Sequence, residues 1–283
     1  REGPQGGAYT GNAESDLTSG VTRHWVGAEG GGDGQTWTSA LNWDELEGAR
    51  SVPGDFDDIV IDTAITGVWQ IPSAAPIIRN LTLNKSVAGR YTNRFRLIGN
   101  MVLNASMNWN WSSFTLERGT HVIHIASGCK LYGHDLKIYG NCNAGLTKRG
   151  AGSILATTTT RSGTFSFVGP LHIEEGLVDL QQTTFQIAAL DIAITGVDAQ
   201  LKMAGPAMNT KTTLRLSDSG ALNLNGDFEQ NVWEYYRNGV IMSAKTYGST
   251  SSPAEKTDDV HFIGNGVISV AHGGPQGTLM FYR

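Results

Sequence analysis

Cysteine is almost missing from this chain: Cys129 and Cys142 are the only two in 283 residues. That excludes a disulfide-dense scaffold. With no Cys-x-x-Cys pair, a zinc site is not expected either, because zinc takes about four ligands. The two cysteines form one bridge or stay as two buried thiols, and an even count in a chain read as secreted favours the bridge. Proline is scarce as well, at 8 residues, which rules out collagen and Pro-rich linkers. Charged residues make up only 17%, and 21 basic against 26 acidic side chains leave a net charge of −5. No basic field exists to hold a phosphate backbone, so no nucleic-acid partner is expected. No apolar run approaches the ~20 residues of a membrane span. The best, Phe185 to Ile194, is broken by Gln186 and Asp191. Helical periodicity is absent too, since no twelve-residue stretch keeps apolar positions at i, i+3, i+4 and i+7 without glycine or β-branched interruption.

Glycine is what the chain has in excess, at 36 residues. Short β-rich runs begin at Ile77, Phe95, Phe114, Lys130, Ser153, Leu171, Leu190 and Thr213, and most close on Gly, Asn or Asp. Within them apolar residues alternate, as in Leu214-x-Leu216 and Leu222-x-Leu224, which is the period of strands with one buried face. A sandwich would carry such turns, but a ragged repeat near twenty residues fits a β-solenoid better. The expected fold is all-β, with four parts. Residues 1–24 form an extended polar arm, with Tyr9, Leu17 and Val21 among its few apolar side chains. Residues 25–75 form a cap packed by Trp25, Trp37, Trp43 and Trp69. Coils follow over 76–226, then terminal coils and a cap over 227–283. The chain opens on Arg1 with no visible signal peptide, as a processed secreted protein or a trimmed chain would.

Three stretches carry a family resemblance. Leu146-x-Lys148-x-Gly150-x-Gly152-x-Ile154, followed by Leu171-His-Ile-Glu-Glu-Gly176-Leu-Val-Asp-Leu, resembles the autotransporter-associated (passenger-associated) β-strand repeat. Asn238-Gly239-Val240, Thr246-Tyr247-Gly248 and the run from Phe262 to Val270 are similar to the closing segment of exported bacterial β-helix proteins with that repeat. Trp25-Val26-Gly27, Trp37, Asn42-Trp43 and Pro53-Gly54-Asp55 resemble their opening segment. The resemblance implies a right-handed parallel β-helix, export, and an extracellular or cell-surface place. It implies no activity and no cofactor.

Motifs of nucleotide, serine-hydrolase and HExxH metal chemistry are missing. His121 and His124 fall on opposite faces of a strand, and His134 and Asp135 split in the same way. Asp55 and Asp57 share a face and offer oxygens to calcium, or else serve a turn. Glu174 and Asp191 or Asp198 meet as a glycosidase pair if neighbouring coils align them; otherwise they are solvated turn acids. Trp109 and Trp111 share a face and either stack on sugar or fill a core or contact. Asn80, Asn84, Asn104 and Asn110 open N-x-Ser/Thr sequons, which places candidate glycosylation on one face. The leading expectation is a non-catalytic structural subunit whose partners are copies of itself, joined by strand addition from the arm through Tyr9, Leu17 and Val21. The alternatives are a polysaccharide lyase or hydrolase, and an adhesin gripping surface glycans with Trp109, Trp111 and Tyr91.

Overall fold

Alternating apolar residues at glycine-punctuated intervals can bury one face only if successive runs stack in register. The computed structural model describes residues 20–89, 93–141, 143–157 and 163–274. It is a parallel β-solenoid of about seven turns with a buried tryptophan cluster near its N-terminal end.

Each full turn contributes strands to three faces. The first face stacks Thr22–Trp25, Asp57–Ile61, the second half of Ile77–Leu83, Met101–Leu103, Thr120–Ile125, Gly145–Arg149, Leu171–Ile173, Asp191–Ile194, Thr213–Leu216 and Glu234–Arg237. The second face runs from Val87–Ala88 through Lys130–Gly133, Ser153–Ala156, Leu177–Leu180, Gln200–Met203 and Ala221–Leu224 to Phe262–Gly264. The third holds Arg94–Leu97, Ser113–Leu116, Lys137–Gly140, Thr164–Phe165 and Gln186–Ile187. Register sets the repeat between 19 residues (Phe95 over Phe114) and 27 (Ile138 over Phe165), with longer steps at the two ends (Trp25 to Ile61 and Leu222 to Phe262).

Inward side chains form columns. Ile61, Leu83, Leu103 and Ile125 stack on the first face, and Leu131, Ile154, Val178, Leu201, Leu222 and Phe262 on the second. All are at most 1% exposed, so each contributes roughly 1.5–3 kcal/mol of burial. On the third face the Phe95 and Phe114 rings lie parallel, 5.2 Å apart.

Residues 1–19 of the expected arm lie outside the described residues. Thr22–Trp25 pairs in parallel with Asp58 to Ile61, so it already belongs to the coil. The Arg23 guanidinium is 2% exposed and bonds Asp44 and Ser51. Trp25, Trp37, Trp43 and Trp69 then plug the first turn, with Trp25 and Trp43 edge to face at 5.0 Å.

Both ends of the first face are covered by chain running the other way. At the start, Val26 N–H donates to Asn42 O (2.8 Å) and Asp44 N–H to His24 O (2.9 Å). At the finish, Val240–Ile241 folds back on Glu234–Arg237, while in a separate end sheet Thr246–Gly248 runs antiparallel to Val267–Val270. Such antiparallel covers stop a coil from templating another coil.

Candidate functional site

On the outer side of the second face, Leu155, Asp179, Lys202 and Asn223 follow one another in register. Their neighbours in the alternating pattern bury Leu180, Met203 and Leu224, so these residues must point outward. Two positions along each run lie Gln181, Ala204 and Asn225, whose backbones also follow in register: Gln181 N–H donates to Ala156 O, Ala204 N–H to Leu180 O and Asn225 N–H to Met203 O. Ala204 is short and its neighbours are amides, so a notch opens between them. The cavity measures about 280 Å³ and is lined by Asp179, Leu180, Gln181, Lys202, Ala204 and Asn225.

Asp179 is the unusual member. Its side chain is 8% exposed. Oδ2 lies 3.4 Å from Lys202 Nζ and 3.3 Å from Gln181 Nε2, both long contacts. Oδ1 is buried with no hydrogen-bond partner, and a buried carboxylate oxygen in that condition has unmet accepting capacity. None of these residues was singled out by sequence, because they lie about one coil apart and form a site only through register.

The residues singled out by sequence are used otherwise. Trp109 is fully buried against Phe95 at 5.5 Å, so it offers no ring to a sugar. Trp111 does not share its strand face: it sits in a turn at φ 53°, its ring 5.7 Å from His134. Tyr91 lies outside the described residues. Glu174 pairs with Arg149 (2.6 Å) and Asp191 with Arg215 (3.1 Å). The coil register sets Ile173 over Ile194, so Glu174 falls beyond Asp191, and Asp198 sits in a turn at φ 63°.

Asp57 accepts N–H bonds from Val21 (3.0 Å) and Gly54 (2.8 Å), and Asp55 accepts one from Ile77 (3.1 Å). Both carboxylates thus tie the first coil to the next, and no cluster of three or more His, Cys, Asp or Glu able to hold a metal occurs among the described residues. His121 is buried between the Gly99 and Glu117 carbonyls, while His124 faces solvent, as the strand period requires. His134 bonds the Thr157 hydroxyl, and Asp135 is buried 3.5 Å from Lys137.

The sequon asparagines are rungs of polar ladders. Asn80 Nδ2 donates to Asp58 and its Oδ1 accepts from Asn100 N–H. Asn84 donates to Asp62, Asn104 donates to Asn84, and Asn110 accepts from His134 N–H. A glycan on Nδ2 of Asn80, Asn84 or Asn104 would crowd the coil-to-coil bond that this nitrogen donates. Cys129 is half-buried and carries a free thiol, and Cys142, the other half of the expected bridge, lies outside the described residues. Tyr9 and Leu17 lie outside them as well. Val21 is 38% exposed, with its N–H and carbonyl already committed to Asp57 and Asp58.

The repeat motif acquires a physical meaning. Lys148 is fully buried, and its Nζ donates to the carbonyls of Arg149 (3.1 Å), Gly150 and Glu175 (2.8 Å). Desolvation pulls its pKa down to about 8. A Cβ at Gly176 (φ 70°) would stand 2.8 Å from this ammonium, which is why glycine closes that corner.

No family model matches this chain. No curated protein and no solved structure matches it either.

Proposed function

We propose that this chain is a non-catalytic structural subunit that associates end to end with copies of itself in an extracellular or cell-surface assembly. The finer kinship is with exported bacterial β-helix proteins carrying passenger-associated repeats, and it rests on the motifs around Lys148, Asn238 and Trp25.

One observation carries the reading: seven of the eleven large exposed apolar side chains among the described residues lie in the end turns, Val21, Leu41 and Leu46 in the first turn and cap and Trp233, Val240, Val260 and Ile263 in the last, while Tyr139, Val168, Leu190 and Val197 lie between them. Exposed apolar surface grouped in this way is typical of a contact site. The flanks are spent differently. Asp58–Arg79 (2.6 Å), Arg96–Glu117 (2.5 Å), Arg149–Glu174 and Asp191–Arg215 each join neighbouring coils, so these charges stiffen the rod instead of converging on a substrate. The lining of the Ala204 notch contains one carboxylate, where glycoside hydrolysis uses two, which favours the structural reading over a hydrolase.

Because antiparallel segments cover both ends of the first face, coil-on-coil stacking there is disfavoured, and the link falls to residues 1–19 as an added strand. The receiving edge is Lys256–Thr257, one of the two outer strands of the end sheet, exposed and, among the described residues, paired with Thr246–Gly248 alone. Strand donation to a different surface is heterologous and propagates instead of closing. The test is light scattering of the full chain beside a chain beginning at residue 20. The expected result is concentration-dependent growth of the full chain and a folded monomer for the shortened one. Equal growth of both, or none in either, contradicts the reading.

A further inference from the structure

The geometry points to the Ala204 notch as a binding subsite for one neutral sugar ring. It lies on the outer side of the second face and spans the runs Leu177–Leu180, Gln200–Met203 and Ala221–Leu224, one coil before the last.

Size comes first. At about 280 Å³ the notch falls just below the range of sites for drug-sized ligands, which suits a single small ring and not an extended chain. Shape follows from one short residue. Ala204 lies between Gln181 and Asn225 in the coil stack, where neighbouring strands are about 4.8 Å apart. A methyl group between two amides leaves a floor flanked by groups that both donate and accept.

Charge decides the ligand class. Asp179 and Lys202 balance each other, so the notch has no net sign. An anionic ligand would meet the Asp179 carboxylate, and a cationic ligand would meet Lys202. A neutral polyol avoids both penalties. One hydroxyl donates to Asp179, a second accepts from Lys202, and the Gln181 and Asn225 amides take either role. The long contacts from Asp179 to Lys202 and Gln181 (3.4 and 3.3 Å) leave both free to turn toward a ligand. Buried polar groups that are only half satisfied discriminate strongly in favour of a ligand that completes them.

The experiment is saturation-transfer NMR on the full chain with methyl glucoside, methyl galactoside and methyl mannoside, and with glucuronate as the charged arm. At least one neutral glycoside is expected to show transfer and glucuronate none. Ala204→Leu, which fills the notch from an outward position, should weaken that binding at least about tenfold, and Asp179→Asn should weaken it less. Thermal melts of both variants matching the parent keep the comparison independent of folding. No transfer from any neutral glycoside at millimolar concentration, unchanged binding in Ala204→Leu, or a preference for glucuronate overturns the proposal.

Discussion

Single buried polar groups explain much of this molecule. Lys148 has three carbonyl partners and no carboxylate in contact, so it holds a corner together at a desolvation cost. Its folded pKa, near 8, lies below the ordinary 10.5, so from about 8 to 10.5 the unfolded chain holds this proton more tightly. The cost is therefore complete below pH 8 and is relieved as pH rises through that window. Urea melts of the parent and Lys148→Met should show the parent gaining stability relative to the variant from pH 8 to 10. At pH 7 the variant should still be weaker by roughly 2–4 kcal/mol, because three carbonyls lose their donor. Tyr235 behaves in the opposite way. Its ring is buried against Tyr247 at 5.1 Å and its hydroxyl has no partner, so burial pushes its pKa up. Tyr235→Phe should leave the melting temperature unchanged or raise it, since no bond is lost. The inward residues were legible from alternation alone. The roles of Trp109 and Asp57 were not, because a sequence gives the period of a strand and not which side the next coil covers.

At the scale of the element, buried amides stand in for missing peptide units. Gln182 accepts from Gly163 N–H (2.6 Å) and donates to the carbonyls of His134 and Thr157, 48 and 25 residues away. Gln230 does the same for Ala207 and Met208, accepting from both N–H groups at 2.9 Å. Gln182→Leu should cost roughly 2–4 kcal/mol in a chemical melt, because it leaves several buried backbone groups unpaired. The closing hairpin depends on its turn. Asn238 and Gly239 have φ of 49° and 77°, the two positive values of a type I′ connection between Arg237 and Val240. Gly239→Val should loosen that cover, read as faster hydrogen exchange at Met242, whose N–H donates to Tyr235 O. The Asn-Gly pair was visible in the sequence, but it was read as a family motif and not as the hairpin signal it is. The repeat was legible only approximately. Some neighbouring runs are true coil partners, as Phe95 and Phe114 are at 19 residues on the third face, whereas the runs at Phe114 and Lys130 belong to different faces. Register steps, mostly of 19 to 27 residues, emerge only when each face is followed separately.

For the whole molecule, the central claim is cohesion between ends. The first face stacks ten strands, nine spacings of about 4.8 Å, so the body is roughly 45 Å long. The polar ladder from Asp62 through Asn84 to Asn104 and the ion pairs beside it keep this body straight and its flank hydrophilic. The most direct measurement is electron microscopy of the full chain at a concentration where scattering grows. The account predicts unbranched head-to-tail filaments with an axial repeat near one body length, and none from a chain beginning at residue 20. Side-by-side packing, closed pairs joined through like ends, or identical filaments from the shortened chain would contradict it.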